Sequence, residues 1–560
     1  MSSTNPTSKP KLYLIAIGGT GMRCLESFVH LCAAGMLDNE TIEILTLDTD
    51  QYNGNKERVE ALINLYNKVK TNDSANEGGE ARANSFFSAK LNLSKFFTDY
   101  STTERNNLKV LSDTHNLTKE QRSDNEDLSN LFFDRETVQE FSLDHGYRAQ
   151  THLGSMLMYH GIIESARNAQ KGGKDAKEQD LALKKFLLDI NNNANNAKVF
   201  VFGSVFGGTG ASSIPVIPIA LSDALKIITD KGKLNLDKVQ FGSTLLTDYF
   251  SFPTPNNQQK ENAKVIADSQ NFALNSQAAL QFYNQDTTVK NTYKRLYHIG
   301  WPGSLKALYG EDSQEVMTGG TNQRNDCHIV ELMSAAAAYD FFTHDSFTNK
   351  QAEYFYRSVE TDDNGSLRLT GASFMEGEDK ATKLENRLGA LFSLAHIILS
   401  KNNGAWENTV GTLEFRDVLK ANNVEQYESL TDEQARQIDD YLKEFAYKVV
   451  RGRFIPGWIY QVRQSLRNGS FLFADQAFTT NVAELPKVDP GTIFLDKRHH
   501  WDRNKMLLFK DDDVQRLDKF YDLMKDPKTE ASAEQGSTVK EKFLAHLYNA
   551  ITVAQHYQQA

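Results

Sequence analysis

The stretch KLYLIAIGGTGMR, residues 11–23, decides the fold of this chain. Its residues 12–17 are continuously apolar and stop at Gly18, which predicts a strand buried on both faces of a parallel sheet. Periodic apolar positions after the glycines predict a helix that ends near Gly35. A second strand follows at residues 43–50, EILTLDTD. Strand, helix and strand in this order predict a βαβ unit, and with it an α/β fold built on a parallel sheet.

A second glycine-rich turn, GSVFGGTGASS at residues 203–213, repeats the local pattern of the first. It also lies between an apolar strand, residues 198–205, and an apolar helix. Both turns should lie at the carboxyl edge of one sheet, where ligands bind. Glycine lets backbone N–H groups and helix N-termini approach a phosphate, because no side chain stands in the way. We therefore predict phosphate binding by two quartets: Gly18, Gly19, Thr20 and Gly21, and Gly207, Gly208, Thr209 and Gly210.

Two aspartates end the second strand, in the segment LDTDQ at residues 47–51. A carboxylate at this position can accept a hydrogen bond from a ribose hydroxyl or hold Mg²⁺ through water. Asp48 and Asp50 are therefore candidate ligands of sugar or magnesium. The alternative for each of them is a helix cap or a solvated turn.

These motifs together resemble the tubulin/FtsZ superfamily, most closely its divergent bacterial tubulin-like proteins. Residues 11–23 resemble the first phosphate loop of that superfamily, and residues 203–213 resemble its GGGTGSG signature loop. LDTDQ is similar to the NTDxQ-like segment after its second strand. A fourth segment, GYRAQTHLGSMLM, resembles its third loop and the following helix. In that segment Gly146, Arg148 and Gly154 stand at the matching places.

The resemblance implies a protein that binds GTP or GDP with Mg²⁺, with Arg148 among the nucleotide-binding residues. It also implies a long central helix, residues 323–345, whose start contacts guanine. Asn325 or Asp326 can supply the acceptor that the guanine N–H donors need, although a simple N-cap is the alternative. Phe250 or Phe252, in the loop after LLTDY, is a candidate to line the ribose or the base.

In the superfamily, GTP hydrolysis depends on an acidic loop of the NxDFxD type that follows the central helix. The next subunit inserts this loop against the γ-phosphate. No such segment is found in this chain. Asp340 and Asp345 are the nearest candidates to aim or activate water, and a surface carboxylate or helix-end charge is the alternative for each. The resemblance implies nucleotide-dependent head-to-tail self-association, into a cytoskeletal-type filament or a GTP-controlled assembly, with hydrolysis at the subunit interface.

The pattern along the chain predicts three parts. Residues 1–322 form the nucleotide-binding domain, with an insertion at about 55–142, and residues 323–345 form the central helix. Residues 346–560 are expected to form a second α/β domain with helical additions near the C-terminus.

The composition of the chain argues against two classes of protein, nucleic-acid binders and membrane-spanning proteins. A net charge of −11 argues against a dedicated nucleic-acid binder, because such proteins carry a basic face. No apolar run of about 18 residues occurs, so we expect no membrane span and a cytoplasmic setting. Cys24 and Cys32 are expected to be small core residues. His499, His500 and Asp502 are expected to be a surface cluster, since no third ligand has suitable spacing.

Two other classes of function remain open. An NAD-dependent Rossmann oxidoreductase would also use GGTG and an acidic residue after the second strand, but Cys24 stands where that motif has its third glycine, and the second turn has no role there. A GTP-controlled scaffold or switch that does not polymerise would share the nucleotide site and differ in assembly.

Overall fold

The structure is a computed structural model that describes most of the chain. The described residues are 9–50, 52–71, 79–97, 131, 147, 151–173, 176–229, 238–256, 267–310, 319–321, 323–345, 347–357, 361, 366–402, 430–471, 478, 480 and 526–559. Arg148 and Gly146 lie outside the described residues, and so do His499, His500 and Asp502.

A parallel sheet of seven strands forms the centre of the structure, which confirms the predicted α/β class. The strands of the described residues are β1 Lys11–Ile17, β2 Thr41–Asp48, β3 Lys90–Phe97, β4 Ala197–Phe202, β5 Gln240–Leu246, β6 Phe250–Ser251, β7 Tyr293–Ile299, β8 Ala307–Leu308, β9 Glu353–Arg357, β10 Tyr447–Val450 and β11 Arg453–Pro456. The central sheet has the order β9, β7, β5, β4, β1, β2, β3, and every pair in it is parallel. The remaining strands form two short two-stranded sheets.

The strand order reverses direction between β1 and β4. The chain runs outward from β1 through β2 to β3, and it then returns to place β4 on the other side of β1. In such a sheet the loops after the two strands at the reversal diverge and leave a crevice between them. The two predicted glycine turns follow β1 and β4, so both of them border this crevice.

Helices cover both faces of the sheet. Alternate residues of β1 belong to two separate cores, with Leu12, Leu14 and Ala16 in one and Tyr13, Ile15 and Ile17 in the other. The helices are α1 Gly18–Ala33, α2 Gly54–Lys70, α3 Thr151–Lys171, α4 Glu178–Asn192, α5 Gly208–Ser213, α6 Ile217–Thr229, α7 Phe272–Gln285, α8 Thr287–Thr292, α9 Ile329–Thr343, α10 Gly371–Phe374, α11 Glu378–Asn402, α12 Asp432–Phe445, α13 Trp458–Ser465 and α14 Val539–Gln559.

Helix α9 lies within residues 323–345, where the sequence predicts a long central helix. Its residues from Ile329 to Phe342 are all buried, as a helix that is apolar all round requires. Gly242 of β5 makes room for it, because a β-carbon there would lie 2.7 Å from the Phe341 ring. The helix is shorter than expected, since residues 323–328, which precede it, are not helical.

The two edge strands of the sheet come from parts of the chain that were not predicted to contribute to it. The expected insertion at 55–142 contains α2 and the edge strand β3. Strand β9 follows the central helix in sequence, yet it forms the opposite edge of the same sheet. Edge strands carry weak sequence signals because one flank faces no neighbour and polar residues are tolerated there.

The C-terminal part packs against the face that carries α1 and α2. Lys540 of α14 is fully buried, and its ammonium group donates to the carbonyl oxygens of Lys68 and Thr71, each at 2.6 Å. These carbonyls lie at the end of α2, where a helix favours a cation. Gln437 of α12 accepts the third hydrogen bond, at 2.6 Å.

The remaining expectations concern cysteine and the membrane. Cys24, Cys32 and Cys327 are buried and free, as the core assignment of the first two predicted. Within the ranges that the structure describes, every helix is too short or too polar to cross a bilayer.

Candidate functional site

The crevice after β1, β2 and β4 holds a cleft whose empty space, including the part open to solvent, is about 720 Å³. Both glycine turns line it, and every residue of the two quartets contributes except Gly21. A β-carbon on Gly21 would lie 2.6 Å from the Phe202 carbonyl oxygen, so this glycine lets α1 pack closely on β4. The structure therefore brings the two distant motifs to one site and gives Gly21 a packing role.

The two turns touch each other at Gly18 and Thr209. Gly18 has a φ of +64°, a left-handed conformation that glycine adopts at little cost. A β-carbon on Gly18 would lie 3.0 Å from the Thr209 β-carbon, closer than normal packing allows. Any side chain at position 18 would thus be strained by the backbone and would push the second turn away.

Two helices begin at this cleft without a side-chain cap. Helix α1 starts at Gly18 and α5 starts at Gly208, and neither N-cap residue offers a hydrogen bond from its side chain. The first N–H groups of a helix have no partner within the helix, and they carry a partial positive charge. The cleft consequently presents two sets of backbone donors to the same volume, an arrangement suited to an anion with several oxygens.

Asp48 and Asp50 both line the cleft, but their hydrogen bonds differ. The Asp48 Oδ1 atom accepts from the backbone N–H groups of Thr49 and Asp50, at 2.8 and 3.2 Å. Its Oδ2 atom is buried and has no hydrogen-bond partner. Burial, together with the charge of Asp50, raises the pKa of Asp48 to about 7. Asp48 therefore has an oxygen to offer to a cation or a hydroxyl donor.

Asp50 is instead committed to the protein. Its Oδ1 atom accepts from Tyr52 N–H at 3.1 Å, and its Oδ2 atom accepts from Gly320 N–H at 2.6 Å. The second bond ties the β2–α2 loop to the segment before the central helix. Asp50 thus shapes one wall of the cleft.

The same wall contains two residues that the sequence analysis did not single out. The Asn53 side-chain amide donates to Gln323 Oε1 at 2.6 Å, and both residues line the cleft beside Gly19. Asn53 also caps α2 through its Oδ1 atom. An asparagine before a helical pattern is a recognisable N-cap signal, whereas nothing in the local sequence marks Gln323.

An aromatic wall closes another side of the cleft. Phe250 and Phe252, the two candidates from the sequence, line it together with Phe206 and Phe272. The rings of Phe206 and Phe272 lie 4.9 Å apart, and those of Phe252 and Phe272 lie 5.4 Å apart. Such a cluster offers ring faces and edges to a flat ligand.

Asn325 and Asp326 do not line the cleft. Their carbonyl oxygens accept hydrogen bonds from the guanidinium group of Arg23, on α1. The same group forms a buried ion pair with Glu331 of the central helix, with 2.5 Å between Arg23 Nε and the carboxylate. The structure therefore places these two residues beside α1, outside the cleft that contains the glycine turns.

The fourth resembling segment, GYRAQTHLGSMLM, reaches the cleft through Tyr147, which lines it. A β-carbon on Gly154 would lie 2.4 Å from the Tyr147 ring and 2.8 Å from Ser212, so glycine is needed for close packing at the start of α3. Ser155 donates to the Ser212 carbonyl at 2.8 Å. This segment therefore supports the second glycine turn from behind.

Asp340 and Asp345 lie at the amino edge of the sheet, away from the cleft. Asp340 accepts hydrogen bonds from Tyr297 at 2.6 Å, Lys380 at 3.0 Å and Arg295 at 3.1 Å. Burial alone would raise the pKa of Asp340, but the bond from Tyr297 and the charges of Lys380 and Arg295 outweigh it, so the pKa lies below the usual value. With its oxygens so committed, Asp340 serves structure.

Asp345 is exposed, just beyond the end of α9. The backbone before it is held by Lys198 of β4, whose ammonium group donates to the carbonyls of Phe342, at 3.0 Å, and His344. Of the two predicted catalytic carboxylates, Asp345 alone is free to meet another molecule.

Comparison of the chain with protein-family models and with curated proteins found no match.

Proposed function

We propose that this chain binds GTP in the cleft between its two glycine turns and uses the nucleotide to control head-to-tail self-association. The observation that carries the proposal is the contact between Gly18 and Thr209, which joins two phosphate-loop motifs from distant parts of the chain. Two uncapped helix starts at one cleft suit a polyphosphate better than a single phosphate.

The phosphates would lie against the two turns. Gly18 and Gly19, with Thr20, would donate from the start of α1, and Gly207 to Gly210 would donate from the start of α5. The Thr20 and Thr209 hydroxyls would add donors to the same oxygens. Each charge-assisted bond of this kind contributes about 1.5–3 kcal/mol, so several of them suffice for firm binding.

Mg²⁺ fits the same site through Asp48. A buried carboxylate oxygen without a partner is a costly group, and a cation bound directly or through water would compensate for it. When bound, the ion would neutralise phosphate charge. Asp50 would act indirectly, because its hydrogen bond to Gly320 holds the wall next to Asp48.

The base and ribose would occupy the aromatic side of the cleft, against Phe252 and its neighbours. Stacking on such rings accepts any base, so the choice of guanine comes from the resemblance to the tubulin/FtsZ superfamily. The Asn53–Gln323 pair supplies further polar groups to the opposite wall.

The positions of the cleft and of Asp345 suit a head-to-tail assembly. The cleft opens at the carboxyl edge of the sheet, and Asp345 lies exposed at the amino edge. If copies stack with the same orientation, the Asp345 end of one copy meets the nucleotide of the next. Asp345 would then be the residue that aims water at the terminal phosphate.

Identifying the nucleotide released from denatured, purified protein tests the binding proposal. GTP or GDP supports it, and an empty protein that also fails to bind labelled GTP would overturn it. Light scattering and electron microscopy with GTP test assembly separately. Discrete particles at high protein concentration would contradict filament formation and favour a GTP-controlled scaffold.

One observation favours a second candidate, an NAD-dependent oxidoreductase. The free Asp48 oxygen at the end of β2 stands where a Rossmann site binds a ribose hydroxyl. The second glycine turn at the same cleft is the argument against it, since a dinucleotide site uses one such turn. Release of an adenine dinucleotide on denaturation would decide for this candidate.

A further inference from the structure

Tyr249 lies behind the aromatic wall of the cleft. It directly precedes Phe250 in the loop after β5, and its side chain is fully buried. The centre of its ring lies 5.1 Å from that of Phe250 and 6.1 Å from that of Phe206, and both of these residues line the cleft. Tyr249 itself does not line the cleft, so it can act on a ligand only through the rings that it supports.

The Tyr249 hydroxyl joins this wall to two helices. It donates to Glu331 Oε1 of α9 at 2.7 Å, and the same oxygen accepts from Arg23 Nε of α1 at 2.5 Å. The Glu331 side chain is fully buried, and hydrogen bonds to a charged group are strong in such a place. One buried oxygen therefore fixes the aromatic wall to both α1 and α9.

Arg23 lies on the phosphate side of this junction. It stands one helical turn after Gly19 on α1, and residues at that spacing share one face of a helix. Its guanidinium group also binds backbone carbonyls of the segment just before α9. The ion pair of Arg23 with Glu331 thus holds the phosphate side of the cleft, and this pair does not need the Tyr249 hydroxyl.

Backbone hydrogen bonds hold the same loop to β8. The Ala307 N–H donates to the Tyr249 carbonyl at 3.1 Å, and the Tyr309 N–H donates to the Ser251 carbonyl at 2.9 Å. These bonds set the course of the loop, but β8 is a two-residue strand outside the central sheet. Among the described residues, the hydrogen bond from this loop to the central helix comes from the Tyr249 side chain.

We propose that Tyr249 is a positioning residue for the base of the bound nucleotide. Its bond to Glu331 holds the Phe250 and Phe206 rings where a base can stack on them. This role rests on the proposed binding of GTP in the cleft, with the base at the aromatic wall. Loss of the hydroxyl should weaken the contacts to the base and leave the contacts to the phosphates intact.

Tyr297→Phe is a matched control for Tyr249→Phe. Tyr297 is also fully buried, and its hydroxyl donates to Asp340 at 2.6 Å, a carboxylate that Arg295 binds as well. Asp340 lies near the other end of α9 from Glu331. Each variant loses a phenol–carboxylate bond and keeps an arginine–carboxylate pair, so the two should lose similar stability.

Titration calorimetry on the full chain, with GTP and with inorganic tripolyphosphate, tests this role. Tyr249→Phe should bind GTP about fivefold more weakly, the effect of one lost hydrogen bond, and should bind tripolyphosphate as the wild type does. Tyr297→Phe should bind both ligands as the wild type does. Unchanged GTP binding in a folded Tyr249→Phe protein, an equal loss for both ligands, or the same loss in Tyr297→Phe would overturn the positioning role. A wild-type protein that does not bind GTP, or binds GTP but not tripolyphosphate, would instead contradict the proposed nucleotide site, on which this role depends.

A second substitution tests whether Tyr249 acts through Phe250. Phe250→Leu removes a ring that lines the cleft, so it should weaken GTP binding by itself. The effects of the two substitutions should not add, because the hydroxyl has less to position once that ring is gone. The double variant should therefore bind GTP less than fivefold more weakly than Phe250→Leu alone. The full fivefold loss on top of Phe250→Leu would contradict action through this ring.

Discussion

Arg23 and Glu331 form a buried ion pair that joins the first helix to the central helix. Their side chains are 3% and 0% exposed. Glu331 also accepts from the Tyr249 hydroxyl at 2.7 Å and from the His328 N–H at 2.9 Å, so both carboxylate oxygens are satisfied. The pair fixes the end of the segment that runs from the cleft to α9.

Removing one partner of this pair should be far more harmful than removing both. Arg23→Met leaves the Glu331 charge buried without compensation, and the free energy of unfolding should fall by about 3–5 kcal/mol. The double variant with Glu331→Met should recover much of this loss. Denaturant unfolding measures the difference, and a single variant as stable as the double one would contradict the assignment.

Gly18→Ala should damage the cleft, with Gly172→Ala as its control. Both glycines have nearly the same backbone angle, +64° and +65°, but a β-carbon on Gly172 meets nothing within 4 Å. Each variant should lose about 1 kcal/mol of stability from backbone strain. Only Gly18→Ala should also weaken GTP binding, by roughly tenfold or more, because it displaces Thr209. Titration with labelled GTP separates the two effects.

Asp48 and Asp50 should respond differently to the same substitution. Asp50→Asn weakens the bond to Gly320 and should lower stability by about 1–3 kcal/mol. Asp48→Asn keeps an oxygen for the bonds from Thr49 and Asp50 and removes a charge that burial and Asp50 disfavour, so the ligand-free protein should be at least as stable as the wild type at neutral pH. Its magnesium-dependent GTP binding should be weaker. A stability loss in Asp48→Asn equal to that in Asp50→Asn would refute this division of roles.

Asp340 and Asp345 form a second contrasting pair. Asp340→Asn should cost about 2 kcal/mol or more, because Arg295 and Lys380 lose their common partner. Asp345→Asn, at an exposed position, should change stability by less than about 0.5 kcal/mol. It should slow GTP hydrolysis while GTP binding is unchanged. Hydrolysis at the wild-type rate would remove Asp345 from the proposal.

His328 should make the protein sensitive to acid. Burial, with a smaller effect of the Arg23 charge, lowers the pKa of His328 to about 3, so this histidine is neutral in the folded state. The unfolded state gains the proton below pH of about 6.5, and stability should fall by about 1.4 kcal/mol per pH unit from there towards pH of about 3. His328→Asn keeps an N-cap for α9 and should show a shallower slope. Parallel slopes in the two proteins would contradict the low pKa.

The sequence was sufficient for the parts of the fold that have local signals. Apolar runs that stop at glycine predicted β1 and β4 correctly. The two glycine turns that follow these strands line one cleft, at the sheet edge where they were expected. Strands β3 and β9 were not predicted, because edge strands tolerate polar and mixed residues and so lack a clear apolar pattern. Gln323 and Phe272 come to the cleft only through tertiary packing, and no local pattern marks them. Asn325 and Asp326 were predicted to contact guanine because they precede the central helix. The hydrogen bonds from Arg23 to their backbone carbonyls are tertiary contacts, which sequence analysis does not predict.

The bond from Lys540 to the end of α2 has a consequence for synthesis. Helix α2 leaves the ribosome long before Lys540, the residue that completes its carboxyl end and that lies 472 residues after Lys68. Until translation has passed residue 540, the end of α2 therefore lacks the buried ammonium group that binds two of its carbonyls in the folded protein. A ribosome-bound nascent chain stalled before that lysine should be cut by protease in α2, and one stalled well beyond it should resist.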